Sequence, residues 1–144
     1  MHHSAFIAAL FVVCCGQPPA GPETYALAET IKVGCGGGIA GIIEFVSVHR
    51  DGRVDYDLQG WTAPSPGPDS VTKAKVDGWF AALEAARFLE HESPEPENYP
   101  DAMHCGIFLV GSRYSHYLEL TSAPAWTPEI RRVFEEVRGL IPAK

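Results

Sequence analysis

Residues 34–41 read Gly34-Cys35-Gly36-Gly37-Gly38-Ile39-Ala40-Gly41. From Gly36 onward this fits G-x-G-x-x-G, the spacing with which a strand-to-helix turn seats a dinucleotide pyrophosphate. Asp55 and Asp57 follow about twenty residues later, where such a site holds its ribose acid. The surroundings oppose that chemistry. Ile42 to Val48 is rich in β-branched and aromatic residues, which favour strand over helix. A helix there would also have to stop before Asp51-Gly52, and the remaining chain is too short for further parallel βα units. No Lys-Ser or Lys-Thr follows the glycines, so a phosphate-cradling P-loop is not met either. The glycines read instead as backbone devices: Gly36 to Gly38 can take positive φ and reverse the chain tightly. Ala40 and Gly41 are small enough for another backbone to approach, the protein's own or a partner's. Gly36, Gly37, Gly38, Ile39, Ala40 and Gly41 therefore form a candidate partner-contact loop, and no cofactor is expected.

The other reactive side chains do not assemble by spacing. Nucleophilic catalysis needs a hydroxyl or thiol with a base in reach. Ser115 and His116 are neighbours on a strand and point to opposite faces, as do His104 and Cys105. His49, His91, His104 and His116 read as surface or turn histidines, and Asp55 with Asp57 as a solvated strand face. Glu90, Glu92, Glu95, Glu97 and Asp101 lack the glycine and ligand spacing of an EF-hand. Cys35, Cys105, His104 and His116 contain no short C-x-x-C or H-x-x-x-H pair to nucleate zinc. No enzyme, no catalytic residue and no metal site are expected. The net charge of −7 in 144 residues disfavours nucleic acid and an electrostatic hold on anionic lipid.

The N-terminus points to export. Ala5 to Val13 is an apolar run too short to span a bilayer but of the length a secretory signal carries. Cys14 and Cys15 end it, and a Pro/Gly segment follows. This resembles a bacterial lipoprotein signal over residues 1–15, with Cys15 the acylated residue and Cys14 the alternative. The expected location is a bacterial membrane, facing the periplasm or cell surface and held by the lipid anchor alone. Residues 16–27 read as a Pro/Gly-rich tether, and 28–144 as one domain. Setting Cys14 and Cys15 aside leaves Cys35 and Cys105. In an oxidising compartment an even remainder suggests a disulfide; two buried free thiols are the other reading.

The elements that must position these residues follow from pattern. Glu29 to Gly34 is a short strand. Ile42 to His49 and Arg53 to Leu58 flank Asp51-Gly52, a hairpin signal. Trp61 to Ser70 is a loop punctuated by prolines, and Ser70 is a candidate N-cap. Apolar residues at helical spacing predict a helix over Val71 to Glu90, with Val76, Trp79, Phe80 and Leu83 inward. Met103 to Val110 and Tyr114 to Leu120 form a second hairpin around Gly111-Ser112-Arg113. Thr127-Pro128-Glu129 starts a last helix with cap, first-turn proline and an acid against the dipole. The order β-ββ-α-ββ-α predicts an α+β fold: an antiparallel sheet of 4–5 strands with two helices packed on one face.

Gly37-Gly38-Ile39-Ala40-Gly41, after a short first strand, resembles the Gly-Gly-hydrophobic-Ala-Gly signature of the emfourin family. Phe88-Leu89 ending a mid-chain helix, Asp101 before the strand Cys105 to Val110, and the last helix Pro128 to Ile141 agree in order, over about residues 29–141. Emfourins are small protein inhibitors of thermolysin-like metalloproteases of the protealysin type. The resemblance implies that fold, a thermolysin-like metalloprotease as partner, and inhibition as the activity.

Overall fold

The computed structural model describes residues 21–38, 41–60, 65–93, 103–120 and 126–143. The signal segment with Cys14 and Cys15, loop residues Ile39 and Ala40, Trp61 to Pro64, and Glu95, Glu97 and Asp101 lie outside the described residues. The elements are α1 (Pro22–Ala26), β1 (Ala28–Gly37), β2 (Ile42–His49), β3 (Val54–Gln59), α2 (Lys73–Ala85), a 3-10 turn (Phe88–Glu90), β4 (Met103–Gly111), β5 (Ser115–Glu119) and α3 (Pro128–Arg138). The five strands form one antiparallel sheet in the order β3-β2-β1-β4-β5. The fold is α+β.

The register sorts the side chains by face. Val33 lies opposite Val46 on β2 and Ile107 on β4, and Ile31 opposite Val48 and Leu109. With Val54 and Leu118 they make the inner face, which α2 and α3 cover with Val76, Trp79, Phe80, Leu83, Ile130, Val133, Phe134 and Val137. The helices are tied to each other by Trp79, whose Nε1 donates to Glu136 Oε2 at 2.7 Å. Full burial of such side chains contributes about 1.5–3 kcal/mol each. This layer is the main source of stability.

Several expectations need correction. A third helix, α1, occupies the end of the segment read as a tether. Tyr25 is buried, its hydroxyl accepts from Leu89 N at 2.9 Å, and Arg50 donates to the carbonyls of Tyr25 and Ala28. One aromatic side chain with a core partner outweighs the Pro/Gly composition around it. The mid-chain helix does not reach Glu90. It ends at Ala85, Arg87 adopts left-handed φ (54°), and a 3-10 turn follows. That break lets Phe88 turn fully into the core, edge-on to His116 at 5.3 Å. The N-cap of α2 is Thr72 and not Ser70, which instead bridges Arg53 beside β3. The Thr127 cap stands as read, accepting from Ile130 N at 3.3 Å.

Candidate partner-binding surface

The glycine run joins two antiparallel neighbours, so it is a hairpin connection. The first strand continues through Gly36 to Gly37, three residues beyond the expected end at Gly34. Positive φ falls on Gly37 (113°), Gly38 (73°) and Gly41 (58°) and not on Gly36. Gly41 N donates to the Gly38 carbonyl at 3.1 Å, which ties the two sides of the connection together. Residues with a side chain rarely take those φ values, so these three glycines are there for the turn.

Gly34 and Gly36 have a different task. Both sit on the outer sheet face, opposite Phe45 and Ile43 of β2. A Cβ on Gly34 would run into the Glu44 carbonyl oxygen and lie 2.7 Å from Phe45 Cα; one on Gly36 would lie 3.2 Å from the Phe45 ring. Across β1, Gly106 is covered in the same way by Tyr117. The aromatic rings thus lie down across glycine backbone and form a low platform. Phe108 stacks on Tyr117 at 4.4 Å, Phe45 meets Phe108 edge-on at 6.1 Å, and Lys32 Nζ stands 4.7 Å from the Phe45 ring centre. Burial pushes the Tyr117 phenol up to about 12, with Glu119 adding to the rise.

The hairpin tip, the end of β3 at Gln59-Gly60 and the start of β4 at Met103 come together at one end of the sheet. The register sets this: Gly37 is opposite Ile42 and Met103, and Ile43 is opposite Gln59. Met103 is 43% exposed, so this rim presents a large apolar side chain to solvent. Just inside this rim, Cys35 and Cys105 face each other across β1 and β4 and are joined as a disulfide. The disulfide reading of these cysteines is the correct one. On the outer face His104 Nδ1 lies 2.6 Å from Glu119 Oε1, and Glu119 is buried. Inside, Arg138 at the end of α3 reaches Glu44 Oε2 at 3.2 Å and Cys35 Sγ at 3.4 Å. The rim is therefore braced from both faces.

Two other places hold reactive groups. At the opposite end of the outer face, Thr30 Oγ1 is 3.0 Å from His49 Nδ1, and His49 Nε2 is 2.7 Å from Asp55 Oδ2. Nε2–H donates to the Asp55 carboxylate, and the tautomer with its proton on Nε2 leaves Nδ1 to accept a hydrogen bond from the Thr30 hydroxyl. The hydrogen bond from His49, helped by Arg53, lowers the Asp55 pKa. Sequence reading placed His49 and Asp55 on a solvated surface and missed the chain. Its only prior signal is the cross-strand register, in which Thr30 lies opposite His49. The second place is a cleft of about 500 Å³ between the end of α2 and the start of α3, lined by Ala85, Ala86, Arg87, Glu90, His91 and Thr127 among others. His91 Nε2 donates to the Ala86 carbonyl at 3.0 Å, so that ring is already engaged. His116 is half-buried, and its Nε2 donates to the His91 carbonyl at 2.8 Å.

Among the described residues no cluster of three His, Cys, Asp or Glu side chains could hold a metal ion, and no helix is long and apolar enough to cross a membrane. No protein-family model, no curated protein and no solved structure matches the chain.

Proposed function

We propose that the chain is an exported lipoprotein, tethered to a bacterial membrane through Cys15, whose α+β domain binds a protein partner and performs no catalysis. Its activity is reversible inhibition of a thermolysin-like metalloprotease, with Gly36 to Gly41 as the contact loop. The reading rests on the resemblance of residues 29–141 to emfourins. One structural observation supports it most: a glycine turn braced by a disulfide, by Arg138 and by strands on both sides of β1. A loop ordered before binding loses little conformational entropy on docking, so a small contact can be tight.

The test is a titration of a thermolysin-like protease with the domain from Gly21 onward, following hydrolysis of a peptide substrate. Loss of activity at near-equal molarity supports inhibition. Full activity across several such proteases, with the domain folded by circular dichroism, refutes it. The alternative is a lipoprotein of the periplasm or cell surface with a structural or partner-binding role and no inhibitory activity. The platform of Phe45, Phe108 and Tyr117 favours that alternative, because partly exposed aromatic rings suit a binding face.

A further inference from the structure

We propose that the Cys35–Cys105 disulfide is a thiol-exchange site of fixed polarity: an external dithiol attacks Cys105 Sγ, and Cys35 leaves as the thiolate. Exchange requires a line of access to one sulfur and a stable thiolate on the other. The two cysteines differ in both respects. Cys35 is on the central strand and only 4% exposed, whereas Cys105 is partly exposed at the start of β4. Access therefore selects Cys105.

Stability of the leaving group selects Cys35. Arg138 Nη1 stands 3.4 Å from Cys35 Sγ. A disulfide sulfur is a weak acceptor, but a thiolate there carries a full charge against a guanidinium that stays protonated. The contact thus gains strength as the S–S bond breaks. Glu44, the β2 neighbour of Cys35, also holds Arg138, through Nη2 at 3.2 Å. Its carboxylate offsets part of the positive field but fixes the guanidinium against the sulfur. Besides the disulfide, β1 is held by its backbone pairing to β2 and β4 on either side.

The step balances with a dithiol as co-reactant. One thiolate of the dithiol bonds to Cys105 Sγ, the Cys105–Cys35 bond breaks, and its electron pair stays on Cys35. The second dithiol sulfur, deprotonated, then attacks the first and displaces Cys105 as thiolate. Two electrons and, after reprotonation, two protons pass from the dithiol to the two cysteines. The partner class is a Cys-X-X-Cys oxidoreductase. The inference does not depend on protease inhibition.

The test uses the full chain under native conditions. In the first measurement glutathione is the probe, and mixed disulfides are quenched with acid and mapped by mass spectrometry. At least about tenfold more adduct on Cys105 than on Cys35 is expected; equal labelling, labelling of Cys35, or no reaction overturns the proposal. The second measures the rate of thiol release by dithiothreitol. Arg138→Met should slow release about 3- to 10-fold, because a less stabilised thiolate is a poorer leaving group. Arg138→Lys should recover part of the rate. Arg132→Met, on the exposed side of α3, is the control and should leave it unchanged. An unchanged or faster rate in Arg138→Met would mean that Arg138 only braces the fold, and the proposal fails. Circular dichroism of each variant confirms that the rates come from folded protein.

Discussion

Replacing Gly34 by alanine tests the tightest backbone approach in the sheet. Gly34 is buried on β1, and the added methyl would meet the Glu44 carbonyl and lie 2.7 Å from Phe45 Cα and 2.8 Å from Phe45 Cδ1. Two of these three atoms belong to the β2 main chain, which no rotamer change can move. Normal contact requires β1 and β2 to separate locally by about 1 Å. Two or three ladder hydrogen bonds then stretch, each worth about 1 kcal/mol net, and overpacking of this kind costs about 1–3 kcal/mol. The lower entropy of the unfolded alanine chain returns about 0.5 kcal/mol. The expected loss is about 3 kcal/mol, or roughly 12 °C in melting temperature for a domain of this size. Gly78 is the matched control. It lies on the exposed side of α2, where a Cβ meets nothing within 4 Å, so Gly78→Ala should raise stability by about 0.5–1 kcal/mol. Thermal melts followed by circular dichroism without reductant measure both. If Gly34→Ala melts no lower than the parent protein, the close approach of β1 and β2 is wrong, and so is the ring-over-glycine account of the outer face.

Three more outcomes are expected. Replacing Cys35 and Cys105 together by serine removes a cross-link that closes a separation of 70 residues, and should lower unfolding free energy by roughly 4 kcal/mol in guanidinium titrations. Tyr25→Ala removes a buried ring and its bond to Leu89 N, and should cost about 3 kcal/mol in urea unfolding; no loss would restore the tether reading of residues 22–27. Tyr117 should ionise near pH 12 in the folded protein, well above the ordinary tyrosine value of about 10, in an ultraviolet absorbance titration. Above pH 10 the unfolded chain loses that proton first. Stability linked to Tyr117 is therefore whole below pH 10 and falls as pH rises towards 12, and a flat profile across that window would contradict its burial.

Much of the fold was legible along the chain because local pattern and tertiary demand agree. Asp51-Gly52 between alternating runs marked the β2–β3 hairpin, and Gly52 takes φ 97° there. Strand alternation puts Ile43 and Phe45 on one face of β2 and Val46 and Val48 on the other, and the register agrees. Thr127-Pro128-Glu129 carried the start of α3 in three residues. The errors came where a distant partner decided. Helical spacing ran on to Glu90, but the core claims Phe88 and breaks the helix at Arg87. Gly36 looked like a turn residue and Gly34 like the end of its strand, because the ring that lies across them, Phe45, is brought there by strand pairing.

The candidate surface divides in the same way. That residues 36–41 turn the chain was readable, since positive φ is a local property and glycine supplies it. That Met103, Gln59 and Gly60 share the rim was not, because strand register brings them there. The Thr30–His49–Asp55 chain was hidden for the same reason, as was the guanidinium of Arg138 against Cys35, 103 residues away. Sequence alone determined the strands, the turns and the apolar faces, since each depends on a few neighbouring residues. Only tertiary structure decided which side chains meet, because side-chain chemistry acts over a few ångströms in space and without regard to distance along the chain.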